Sequence, residues 1–242
     1  MTALSRTAAL ALPLALLAGC AAGPAADPTS TPPATDTPAP APAFVPVPDR
    51  QLVPVYDEPF DDNSGDWLEP NLDANVIEGG EYTVTDIAGI SHRVMGDVAL
   101  ALMPLLEVQA TIDVRGSGLG EIGLYCRLDH GFDSYYRVAA GVSGVRITKT
   151  TRGDDVPIDL FRRTDIVVGP DIDTVLTLAC FAEDDGYHID AFLDGDLVAQ
   201  AIDHDPPPEG GDVRVSWANL PAAQSDGPYV YSLRSILLET RP

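Results

Sequence analysis

Three cysteines, four histidines and 37 acidic side chains are the reactive stock of this 242-residue chain, and their spacing decides what they can do. Tyr125 and Arg127 flank Cys126, and Tyr135 and Arg137 flank Tyr136, so in a strand each Tyr–Arg pair leaves from one face. Flat rings stack on sugar faces, and guanidinium groups donate to hydroxyls or carboxylates in fixed geometry. His188 and Asp190 alternate in the same way and extend such a surface from another strand. The plainer reading of these six residues is cross-strand pairing on a solvated sheet face, each pair contributing about 0.2–1 kcal/mol.

The loop Asp61, Asp62, Asn63 and Asp66 gathers hard oxygen atoms of the kind calcium takes. The twelve-residue calcium-loop template fails on it, because Trp67 falls where Gly is needed. With 28 Asp in the chain, composition alone produces such groupings, as in Asp154-Asp155, Asp184-Asp185 and Asp203-His204-Asp205. Hydrolytic chemistry finds less material. A retaining glycosidase sets two carboxyl groups about 5 Å apart, whereas the run from His188 to Phe192 turns a single carboxylate, Asp190, outward. There is no Gly-x-Ser-x-Gly, and His92, His130, His188 and His204 form no cluster.

These residues are positioned by strands. From residue 51 onward, β-branched and aromatic runs alternate with Gly, Asp and Pro turns, the pattern of an antiparallel sandwich or barrel. Ten strands are expected, from Glu81–Asp86 through Gly120–Leu128, Ser134–Ala140 and Thr174–Ala182 to Tyr229–Glu239. Asp194-Gly195 between two apolar runs predicts a two-residue hairpin turn. Within the strands, Cys126 shares a face with Ile122, Leu124 and Leu128, and Cys180 with Leu176 and Leu178. Both thiols are thereby directed into the core. They either form a disulfide, worth about 3–4 kcal/mol in the chain-entropy model, or sit as two small hydrophobes; the bridge is the expectation in an oxidising compartment.

Upstream, Arg6 precedes an uncharged stretch, Ala8 to Ala18, too short to span a bilayer as a helix. It fits the apolar part of a secretory signal covering residues 1–19. The closing Leu17-Ala18-Gly19-Cys20 resembles the lipobox of bacterial lipoproteins. That resemblance implies cleavage before Cys20, acylation of its thiol, and an extracytoplasmic protein anchored in the cell membrane or outer membrane, since two or more acyl chains hold where one does not. From 21 to 50, nine of thirty residues are Pro; such a segment is expected to be a disordered, extended linker. The domain proper then covers 51–242. Its acidic residues outnumber the basic ones, and the whole chain carries a net charge of −23. Nucleic acid is excluded as a partner, because phosphate binding needs clustered Lys and Arg.

Gly123-Leu-Tyr-Cys-Arg127, Tyr135-Tyr-Arg-Val138, Val145-Arg-Ile-Thr-Lys149, Thr177-Leu-Ala-Cys180, Phe192-Leu-Asp-Gly195 and the closing Tyr231–Leu238 follow one another along the chain. In that order they resemble the concanavalin A-like/laminin G-like jelly-roll domains of bacterial secreted proteins and lipoproteins. The run Asp57–Asp62 leading to Trp67 looks like that family's opening strand and turn. The resemblance implies an all-β, antiparallel two-sheet jelly-roll sandwich. It implies calcium as a possible cofactor, and a glycan or an envelope protein as possible partners. Some of these domains act on 3-keto glycosides, but no catalytic residue carries over to a matching motif. A non-catalytic binding module on a membrane anchor is the resulting expectation. The alternatives are a carbohydrate-active hydrolase and a structural envelope subunit that meets a basic protein.

Overall fold

The computed structural model describes residues 43–62, 75–86, 93–94, 105–117, 121–129, 131, 133–154, 156–169, 171–207, 210–218 and 229–242. The signal, Cys20, the linker to residue 42, Asn63, Asp66 and Trp67 lie outside the described residues. The larger sheet holds β1 (Val53–Glu58), β2 (Asn75–Glu78), β3 (Glu81–Asp86), β5 (Val108–Ser117), β10 (Asp171–Glu183), β11 (Gly186–Leu193), β12 (Asp196–Asp203) and β14 (Tyr229–Thr240). The smaller holds β4 (Arg93–Val94), β6 (Glu121–Leu128), β7 (Tyr135–Gly141), β8 (Gly144–Thr150), β9 (Ile158–Arg163) and β13 (Asp212–Ala218). Their orders are β12-β11-β10-β5-β14-β3-β2, with β1 also on β14, and β4-β13-β6-β7-β8-β9. Every pairing is antiparallel, and the fold is an all-β jelly-roll sandwich.

Alternation builds the core. Leu176, Leu178 and Cys180 of β10 and Ile112 and Val114 of β5 face Ile122 and Leu124 of β6 and Val138 and Ala140 of β7 in one buried cluster. Cys126 and Cys180 are disulfide-bonded, joining β6 of the smaller sheet to β10 of the larger. The β11–β12 turn is the one the sequence indicates, with Asp194 at φ +52° and Gly195 at +86°, the left-handed pair that matches strand twist. One end of the sandwich is closed by polar contacts between the sheets. The Tyr136 hydroxyl donates to Asp203 at 2.6 Å, Lys149 pairs with the same carboxylate at 2.9 Å, and Tyr136 stacks on Tyr187. Burial raises the phenolic pKa of Tyr136, and its bond to Asp203 raises it further. Burial also works against the Asp203 charge, but the bonds from Tyr136 and Lys149 together hold that carboxyl below its ordinary value.

Three features depart from the sequence expectations. The compact unit runs Ala43–Pro242, so residues 43–50, expected as linker, pack on the sandwich. β2, β4 and β9 were not anticipated, and β1 starts at Val53, ahead of the Asp57 expected to open the first strand; β9 is a short, charged edge strand and β1 carries Pro54, a residue confined to edges. The third departure is a bulge in β6. Tyr125 pairs with Arg214 and Leu128 with Asp212, so Cys126 and Arg127 together oppose Val213. Arg127 there has φ +50°, and beyond the bulge the in–out alternation reverses.

Candidate functional site

The bulge moves Arg127 away from Tyr125, which corrects the expected Tyr125–Arg127 surface. Its guanidinium lies 4.8 Å from the Tyr187 ring centroid and donates to the Pro207 carbonyl at 2.9 Å. It therefore borders an open depression at the closed end of the sandwich, walled also by Tyr187, Asp203 and His204. Leu128, expected in the core with Cys126, is fully buried at 0% exposure.

His188 and Asp190 are on the outer face of the larger sheet, but that face is covered by the chain itself. Residues 44–50 cross it as a strap. The Val45 amide donates to Gln200 Oε1 at 2.7 Å, and Arg50 donates from Nε to Glu183 at 3.0 Å and from both terminal nitrogens to Asp190 at 3.2 Å. Gln200 donates to the second Asp190 oxygen at 2.9 Å, leaving Asp190 0% exposed. Arg50 and Arg241 both lie over the Phe181 ring, at 4.4 and 5.1 Å, and Arg241 also meets Glu107 and Glu183. His188 Nε2 is 2.6 Å from Asp185, a bond that holds the Asp185 carboxyl below its ordinary value. His188 and Asp190, expected as ligand contacts, are buried, at 3% and 0% exposure.

Tyr125, Tyr135 and Arg137 do come together, on the outer face of the smaller sheet. The two rings meet edge to face at 5.1 Å, and the Arg137 guanidinium stands 5.5 Å from the Tyr125 centroid. Tyr125 is 7% exposed and supports Tyr135, which is only partly covered. Gly123 makes the arrangement possible: a Cβ there would stand 2.8 Å from Arg137 Nε and 2.9 Å from Ser216 Oγ, so the guanidinium lies flat on bare backbone. Two further residues belong to this group that the sequence reading did not single out. Glu121 accepts from Arg137 at 2.6 Å and from Arg146 at 3.0 Å. Their signal was present in the alternation, since Glu121 sits two and four residues before Gly123 and Tyr125, and Arg146 lies between inward Val145 and Ile147.

For calcium, Asp61 and Asp62 are exposed in the bend after β1. Among the described residues, no three His, Cys, Asp or Glu side chains are grouped to hold an ion. Among the described residues, the smaller sheet's outer face brings together the Tyr125 and Tyr135 rings, the guanidinium groups of Arg137 and Arg146, and the Glu121 carboxylate that both engage.

No protein-family model matches the chain, and no curated protein does. Among solved structures, the carbohydrate-binding module CBM66 from Bacillus subtilis aligns at 16% identity over 66% of this chain and 82% of that one, with a TM-score of 0.41. Bacillus licheniformis beta-glucanase aligns at 12% identity over 77% of this chain and 98% of its own, with a TM-score of 0.46. A botulinum neurotoxin type C structure, concerned with cell entry through two ganglioside molecules, aligns at 10% over 79% of this chain and 43% of that chain, at 0.45. At these identities and scores they transfer neither ligand nor activity, and the sandwich stands on its own strand pairings.

Proposed function

We propose that the chain is an exported protein held to a cell membrane or outer membrane by acylated Cys20, and that its sandwich binds a glycan without chemistry of its own. The apolar segment before Cys20 and the lipobox-like Leu17–Cys20 support the anchor, and the Pro-rich stretch supports a spacer. The observation that carries the binding reading is the partly exposed Tyr135 ring, set edge-on against Tyr125 at 5.1 Å beside the Arg137 guanidinium. A ring fixed from beneath next to charged donors meets the C–H face and the hydroxyl rim of a sugar together. Hydrolysis needs a second carboxylate across a cleft. The described part of this cluster brings only Glu121, already engaged by Arg137 and Arg146.

Retention of the purified chain on a panel of cell-wall and plant polysaccharides tests the reading. Binding is expected, falling about tenfold in Tyr135→Ala for the loss of one stacked ring, with an unchanged melting temperature. Retention by no member of the panel, or undiminished retention of the variant, overturns it. The anchor is checked by palmitate labelling of producing cells, where the label is expected on the wild type and absent from Cys20→Ser.

A further inference from the structure

Resting on that binding reading, we infer that the ligand is an acidic glycan, one whose carboxylate docks against Arg146 and Arg137 on the outer face of the smaller sheet. Two guanidinium groups from adjacent strands share one carboxylate there, Glu121, at 2.6 and 3.0 Å. The Nε atoms of both Arg137 and Arg146 are buried with no hydrogen-bond acceptor. A buried donor left unpaired is costly, and only the part of Arg146 that stays exposed can meet a ligand. Arg146 keeps 35% of its side chain exposed and offers the open edge. The neighbouring charges on the sheet do not make good the deficit, because Arg214 pairs with Asp212 and Arg162 with Asp159.

Composition makes the deficit informative. The chain has 37 acidic against 14 basic residues, and several cations elsewhere are met by two carboxylates, although Arg115, Arg162 and Arg163 meet one each. Arg234 meets Asp113 and Asp173, Arg152 meets Asp129 and Asp133, and Arg50 meets Glu183 and Asp190. Two cations left to one carboxylate run against that excess. The planar guanidinium fork matches a carboxylate in two parallel bonds and is stronger by that charge. The net charge of −23 repels an anion from afar, but that field is screened over a Debye length of about 8 Å at physiological salt, whereas contact with a half-sheltered Arg is not. Tyr135, packed on Tyr125 and four residues along β7 from the partner of Arg146, offers its ring to a neighbouring sugar of the same chain.

The experiment is titration calorimetry of the full chain with three matched probes: a short oligogalacturonate, its methyl ester, and a neutral cello-oligosaccharide. The acid is expected to bind, with the ester and the neutral sugar weaker by about tenfold, the worth of one charged hydrogen bond. Arg146→Gln is expected to erase the difference between acid and ester. Glu121→Gln is expected to tighten the acid alone by roughly threefold to tenfold, because it frees a second guanidinium; a damaged fold does not produce a gain. Equal binding of acid, ester and neutral probe overturns the charge inference and leaves the glycan reading standing, as does weaker acid binding in Glu121→Gln. Binding of none of the three, together with no retention on the polysaccharide panel, overturns both.

Discussion

On the larger sheet, Arg50 and Arg241 lie over Phe181 and meet Glu107, Glu183 and Asp190; on the smaller, Arg137 lies beside Tyr125 and it and Arg146 meet, among the described residues, one carboxylate, Glu121. Both groups are built from guanidinium, carboxylate and aromatic ring on an outer sheet face. In the first, the chain brings enough acid to satisfy its cations, and the closing Arg arrives on a strap that seals the face. In the second, one carboxylate serves two cations and both Nε atoms are left without an acceptor. The same side chains thus form a clamp where the charges close internally and, on the proposed reading, a receptor where they do not.

The comparison breaks most visibly at Arg50. Arg50→Ala leaves Asp190 buried without its cation, and a loss of about 3–5 kcal/mol is expected in urea denaturation. Arg146→Gln, on a partly exposed pair, is expected to cost less than about 1 kcal/mol. Equal losses would erase the distinction between clamp and receptor, and recovery in Arg50→Met with Asp190→Leu would sharpen it. A middle-sized effect is expected from Gly123→Ala. The new Cβ displaces the Arg137 guanidinium from its bond to Glu121, at about 1–2 kcal/mol, and saccharide binding should fall with it by calorimetry. The smallest effect belongs to neither face. Asp203 has a lowered folded-state pKa, so its contribution is present above the ordinary Asp value near 3.9 and is lost as pH falls through the folded value. Asp203→Asn is expected to flatten the acid limb of a stability–pH profile below about pH 4, leaving the Arg50 and Arg146 differences unchanged.

Alternation made most of the sandwich legible in the sequence, because it is local: it directed Cys126 and Cys180 into the core, and turn chemistry put Asp194-Gly195 at the hairpin. It placed Tyr125, Tyr135 and Arg137 together for the same reason. Arg127 escaped it because one extra residue in β6 resets the count, and nothing in Tyr-Cys-Arg-Leu announces a bulge. His188 and Asp190 were directed outward as expected, yet facing outward does not mean meeting solvent when a distant segment returns over the sheet. The strap left a faint mark, since Phe44, Val45 and Arg50 break the Ala/Thr/Pro composition that precedes them. Its contacts span more than 130 residues, a range at which periodicity carries no information.

The strap also determines how force enters the domain. Tension on the chain upstream of Ala43 reaches Phe44, whose ring is 6.0 Å from Phe161 of β9, then Val45 on Gln200, then Arg50 on Asp190 and Glu183, before it loads the β1–β14 ladder. A pull of that kind must shear a buried ion pair and a tilted ring contact, not unzip an edge strand one hydrogen bond at a time. On the proposed anchor at Cys20, the strap would serve the domain as strain relief.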